Sequence, residues 1–215
     1  MIKLKKYVDM IDGAFSDGTT FRCGDLIHRL NNRFYGDRNI IMFTMGRYDH
    51  KGIKNNTIIP AANYTPKIYG VDECIEVQLS FPKGRRIINL SNEELQILRV
   101  KLISIITHEI THKIQYRKRR NRPSNSSYRV NLTFVNKNIK KMIEYLTECD
   151  EVDAHAFETI ANYRYGTLTR EDLRDINNIK WDKCEAVYLY NKFIRYTDDR
   201  IWRKFIKKVY KYAEF

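Results

Sequence analysis

Apolar residues run almost unbroken around one stretch of this chain: Leu95, Ile97, Leu98, Val100, Leu102, Ile103, Ile105, Ile106, Ile110 and Ile114, with neither proline nor glycine before Pro123. At 3.6 residues per turn they cover most of a circumference, which predicts a buried helix rather than a surface one with a single stripe. Its start is marked as well. Ser91 followed by Glu94 has the form of a capping box, and Glu93 and Glu94 put negative charge where the helix dipole favours it. Charge at Arg99, Lys101, His108 and Glu109 interrupts the run, so it does not read as a membrane span.

Upstream the pattern is mixed. Gly24-Asp25 introduces an amphipathic stretch through Phe34, with Leu26, Ile27, Leu30 and Phe34 at helical spacing before a Gly36-Asp37-Arg38-Asn39 turn. Residues 40–45 read as a buried strand. Further strands are expected at 57–59, 67–69, 74–81 and 86–90, bounded by Pro60, Pro66, Gly70, Pro82 and Gly84, with the clearest alternation from Cys74 to Phe81.

Downstream the chain reads as helical to its end. One helix is expected from about Asn136 to Glu148. A second carries Glu151, His155 and Glu158 at helical spacing, with Val152, Ala154, Ala156, Phe157 and Ile160 for packing. Gly166 closes it, and Thr169 with Asp172 can cap another. Two more helices are expected over Trp181 to Tyr196 and Thr197 to Tyr212. Their aromatic set Tyr188, Phe193, Trp202, Phe205 and Tyr212, with Val209, reads as core. The expected architecture is α+β in one domain, 1–215. A small mixed sheet lies in 1–90, the buried helix and its partner in 91–165, and a helical C-terminal buttress in 166–215.

Composition fits that picture. With 215 residues and 43% hydrophobic content, the chain can bury a large core. Cys23, Cys74, Cys149 and Cys184 are scattered without paired spacing, which argues against a disulfide framework or a cysteine zinc site and predicts buried thiols. No signal peptide, lipid anchor or long apolar span is legible, so the expectation is cytoplasmic action without a membrane. The net charge of +13 gathers in residues 117–122 and at Lys204, Lys207, Lys208 and Lys211, surfaces that suit nucleic acid, a packaged genome or an acidic partner. The basic run leads into Pro123-Ser124-Asn125-Ser126-Ser127, whose loop composition suggests a basic flap.

The buried helix also carries His108-Glu109-Ile110-Thr111-His112. Four residues apart on a helix, the histidines share a face with Cβ atoms about 5–6 Å apart. Two histidines and a glutamate late in a buried helix are destabilising unless satisfied, and a divalent cation is the simplest partner. Two core histidines with local hydrogen bonds are the plainer alternative. A hydrolytic zinc site needs a third protein ligand and keeps a fourth position for water. Glu151 is preferred, with Glu148 and His155 as alternatives and Glu158 two turns beyond Glu151. Glu109 is placed as the general base beside one Zn2+ per chain. His155 is the first candidate to stabilise the oxyanion, ahead of Tyr116 and Tyr128.

His108-Glu109-Ile110-Thr111-His112 with Glu151-Val152-Asp153-Ala154 resembles the gluzincin type of zincin metallopeptidase, in which a Glu-x-x-Ala-like helix gives the third ligand. More narrowly, three features resemble small metallopeptidases encoded by tailed bacteriophages. These are His108-Glu109-x-Thr111-His112-x-x-Gln115, the pattern Tyr145-Leu146 to Glu151-x-Asp153-Ala154, and the ending Ile201 to Tyr212. The resemblance covers the C-terminal half. It implies a zincin-like fold, in which a sheet edge can pair with an extended peptide, and a peptide or protein substrate. It also implies a setting in an infected host cell or a virion, among phage virion proteins. One position departs from the pattern: His155 stands where the thermolysin type has an aspartate that orients a ligand histidine. A catalytically idle virion- or nucleic-acid-associated binding protein that keeps the fold is the second function class.

Overall fold

The computed structural model describes residues 4–37, 40–49, 57–67, 72–120, 122 and 138–214. The architecture is α+β, and the chain divides into two units, Met1–Ile110 and Thr111–Phe215.

The first unit contains α1 (Leu4–Ala14), β1 (Thr20–Arg22), α2 (Cys23–Phe34), β2 (Ile41–Tyr48), β3 (Ile59–Thr65), β4 (Cys74–Pro82) and β5 (Ile87–Asn89). β4 is the centre of a three-stranded mixed sheet, parallel to β2 and antiparallel to β3. Alternation along β4 buries Ile75, Val77, Leu79 and Phe81. α2 packs on β2 and α1, and the Phe34 ring meets Phe43 edge-on at 5.0 Å. β2 is an outer strand, and Asn31 of α2 caps its exposed side. Its amide donates to the Phe43 carbonyl at 2.9 Å, and its carbonyl accepts the Phe43 N–H at 2.8 Å. β1 and β5 form a separate antiparallel pair.

Two strand expectations change. The 57–59 and 67–69 readings give way to one strand, β3, running through Pro60; residues 68–69 lie outside the described residues. A proline is tolerated because β3 is an edge strand, where half the N–H groups point away from the sheet. α1 and β1 have no counterpart in the expectations. α1 was legible in Leu4, Tyr7, Ile11 and Ala14, all buried at three-to-four spacing. β1 is too short to show a period.

The long buried helix is α3 (Asn92–Lys118). Both bonds of its capping box form: the Ser91 N–H donates to Glu94 Oε2 at 2.8 Å, and the Glu94 N–H donates to Ser91 Oγ at 3.1 Å. Leu95, Leu98, Val100, Leu102, Ile103, Ile106 and Ile110 are buried, as the pattern requires. Ile97 and Ile114 are not; they are 39% and 38% exposed, while Lys113 is 1% exposed. Over its last turns the helix turns the lysine stem inward in place of an isoleucine.

The second unit takes the end of α3, then α4 (Ile139–Thr147), α5 (Cys149–Tyr165) and α6 (Arg170–Arg174). It continues through α7 (Glu185–Leu189), which runs on as a π turn over Tyr190–Ile194, to α8 (Asp199–Ala213). Leu146, Val152, Ala156, Ile160, Tyr190 and Phe205 lie in its core. The Tyr190 ring stacks on Phe205 at 4.1 Å, and its hydroxyl donates to the Leu146 carbonyl at 2.8 Å. Gly166, at φ 117°, ends α5 in the left-handed region that glycine adopts without penalty. Thr169 and Asp172 form the expected capping box.

The helix expected from Trp181 begins only at Glu185, after a turn in which Cys184 N–H reaches the Lys180 carbonyl at 3.2 Å; Trp181 is half exposed. Asp198, not Thr197, starts the last helix, its side chain accepting the Ile201 N–H at 3.0 Å. Of the aromatic set, Trp202 and Phe205 are core, while Phe193 and Tyr212 pack against its margin. Tyr188 is half buried under the Lys192 ammonium. Among the described residues, no helix is long and apolar enough to cross a membrane.

Ser91→Ala removes one bond of the capping box and should lower stability by about 1 kcal/mol. Urea unfolding followed by circular dichroism should show a lower midpoint with an unchanged slope.

Candidate metal centre

α3 carries His108, Glu109 and His112 on one continuous helix, which the division after Ile110 does not break. The chain bends at Glu148, which is extended (φ −60°, ψ 133°) and separates α4 from α5. Glu151 therefore falls in the first turn of α5, where the helix N-terminus favours a carboxylate. Its side chain and that of His155 are buried.

The ligand atoms of His108, His112 and Glu151 all lie within 4.8 Å of one another. His108, His155 and Glu158 form a second such group, and among the described residues Glu148 and Glu109 belong to neither. The structure thus brings the two histidines and the preferred carboxylate together. It also places His155 and Glu158 beside them and leaves Glu148 outside. Glu109 accepts the Tyr64 N–H at 2.8 Å on its Oε2.

Gln115 sets the protonation pattern of His112. Its amide nitrogen donates to the Asp150 carbonyl at 3.0 Å, so its oxygen is the atom that faces His112 Nδ1 at 3.1 Å. An amide oxygen can only accept, so Nδ1 carries the proton. In the neutral ring Nε2 is then the atom open to a ligand, and it stands 3.3 Å from Glu151 Oε1. That approach needs positive charge, from a bound cation or from a second proton on the ring. The Arg119 guanidinium pairs with Asp150 at 2.6 Å and braces the same turn of α5, so this member of the basic run is structural.

His155 sits on the other side of Glu151, its Nε2 3.8 Å from Oε2. Its Nδ1 is 3.1 Å from Glu158 Oε2. The rings of Tyr145 and Tyr190 meet the imidazole edge-on, at 6.0 and 5.7 Å. Burial pushes the Tyr190 hydroxyl well above its ordinary value, and the carboxylates of Glu151 and Glu158 add to the effect. Tyr190 stays neutral, as a donor to Leu146. Of the remaining oxyanion candidates, Tyr116 is buried one turn beyond His112 on α3, and Tyr128 lies outside the described residues.

These donors suit zinc. Two imidazoles and a carboxylate are the nitrogen and oxygen set that this ion takes in hydrolytic sites, and Gln115 is an outer group able to fix the orientation of His112. Cysteine has no part in either group. Burial pushes the Cys184 thiol up to about 12, and Cys23 is buried. The expectation of four buried thiols fails at Cys149, which is exposed, and at Cys74, which is half buried.

Gln115 stands in the motif and Glu158 among the spaced acids of the sequence, but their contacts with His112 and His155 were not anticipated, and Tyr64 was not singled out. Both contacts had a signal, because each residue lies three after a site histidine, where helix side chains meet. Tyr64 acts through its backbone, 45 residues from Glu109, and leaves no side-chain signal.

After zinc loading and dialysis, Glu151→Ala should lose metal and Glu148→Ala should keep it. Gln115→Leu should bind about 10- to 100-fold more weakly than the unaltered chain. Metal content by elemental analysis, with helicity as the folding control, reads all three. Retention by Glu151→Ala would move the carboxylate role elsewhere.

No family model, no curated protein and no solved structure matches this chain, so what the cluster can do follows from its own donor atoms.

Proposed function

We propose that this protein is a zinc-dependent peptidase with a zincin-like fold. His108, His112 and Glu151 are the metal ligands, and Glu109 is the general base. The observation that carries the reading is the convergence of those three ligand atoms within 4.8 Å, with Glu109 on the same helix but in neither donor group. A zinc ion held there would act as a Lewis acid and lower the pKa of water toward about 7.

The chain's own groups do the rest. Gln115 keeps the Nδ1 proton of His112 in place, so that Nε2 remains a ligand. Glu109 takes a proton from the attacking water as its oxygen bonds to the peptide carbonyl carbon. It returns that proton to the amine nitrogen as the carbon–nitrogen bond breaks. His155, held at Nδ1 by Glu158, is the protein group proposed to serve the developing oxyanion, which it would do through Nε2–H in its protonated form. The resemblance to small phage metallopeptidases supports a peptide or protein substrate, met in an infected cell or a virion.

A second reading is a catalytically idle protein that binds nucleic acid. It draws on the outer face of α8, where Arg200, Arg203, Lys207 and Lys211 are exposed. Lys208 does not belong to that face, since it pairs with Asp153 and is half buried.

One experiment separates the two. Purified protein should carry about one zinc per chain and cleave dye-labelled casein, and Glu109→Gln should keep the metal while losing on the order of 10²- to 10⁴-fold in rate. Full zinc with no cleavage by the unaltered chain, together with DNA binding that weakens steeply as salt rises, would favour the second reading.

A further inference from the structure

Glu109 has a fixed neighbour that the peptidase reading does not require. Its Oε2 accepts the main-chain N–H of Tyr64 at 2.8 Å. Tyr64 lies in β3, opposite Ile75 of β4, and β3 is an outer strand of its sheet. In an antiparallel ladder the N–H groups of successive residues alternate between the partner strand and the open side. Since the Tyr64 amide goes to Glu109, Tyr64 and Ile75 form a pair without ladder bonds, and Ala62 and Pro60 share that parity. Pro60 supports the assignment, because a residue with no N–H costs the ladder nothing on that side. The phenol of Tyr64 is anchored separately, donating to Glu73 Oε1 at 2.8 Å.

A glutamate side chain turns about three bonds, and a general base works only in the orientation that meets its proton. A backbone donor in a paired strand is stiffer than any side-chain partner, and a hydrogen bond to a charged acceptor is among the stronger kinds. We infer that the Tyr64 amide is a positioning group for Glu109, holding the Oε2 end of the carboxylate so that Oε1 is presented for proton transfer. The inference rests on the peptidase reading for its catalytic sense, but the hold itself can be tested without activity.

Two arms test it. In the first, amide hydrogen exchange is followed by NMR in the unaltered chain and in Glu109→Ala. The Tyr64 amide should exchange on the order of 10- to 100-fold faster in the variant, while those of Asn63 and Thr65, which face β4, stay slow. No change at Tyr64 would overturn the hold. In the second arm, Tyr64→Ala keeps the N–H and sets the baseline for loss of the phenol, while Tyr64→Pro also removes the N–H. Against dye-labelled casein, kcat of Tyr64→Pro should fall about 10- to 100-fold below that of Tyr64→Ala, with KM and zinc content equal. Equal kcat in the two variants would overturn the positioning role. If the unaltered chain leaves casein intact, the peptidase reading fails and the catalytic role goes with it; the exchange arm then still decides whether the hold exists.

Discussion

A buried carboxylate facing two imidazoles is the constraint on which the second unit turns. Glu151 Oε1 stands 3.3 Å from His112 Nε2, and Oε2 stands 3.8 Å from His155 Nε2. An ionised carboxylate out of water is expensive unless positive charge offsets it. The start of α5 supplies part of that charge through its backbone amides, and protonated histidines or a bound cation can supply more. Gln115 fixes a proton on Nδ1 of His112 in either case. The neutral ring turns an Nε2 lone pair toward the carboxylate, which a cation between them stabilises, and the protonated ring meets it as an ion pair.

The surrounding structure serves to keep those atoms where they are. The bend at Glu148 starts α5 at the point that puts Glu151 in its first turn. Gln115 on α3 and Arg119 just past its end both engage Asp150 in that turn. Beneath His155, Tyr190 joins its ring face to Phe205 and its hydroxyl to the backbone of α4. The aromatic core therefore extends to the edge of the polar cluster, where Glu151 Oε2 and His155 Nε2 are buried outside hydrogen-bond distance of each other. In the first unit the same economy appears at Glu109, where an outward-facing edge amide meets a carboxylate.

How much of this was legible depended on the range of the interaction. The capping box at Ser91, the stop at Gly166 and the buried character of α3 are local, and the chain states them directly. So is the pairing of His108 with His112, because helix periodicity alone brings them to one face. The carboxylate was harder. Glu148 and Glu151 are separated by less than a turn, and only the break between α4 and α5 separates their surroundings. β3 was split into two by reading Pro60 as a boundary, since a proline's tolerance depends on which side of the strand is bare, and that is a property of the sheet. The inward lysine at position 113 and the outward isoleucine at 114 follow from packing around the end of α3, which no single-helix pattern encodes.

X-ray absorption at the zinc edge tests the central claim most directly, because it counts the atoms around the ion without reference to any substrate. The account predicts two imidazole nitrogens at about 2.0–2.1 Å with the remaining light ligands oxygen, one from Glu151 and one from solvent. A shell with three imidazoles, placing His155 on the metal in the position kept for water, would describe a closed structural site and contradict the account.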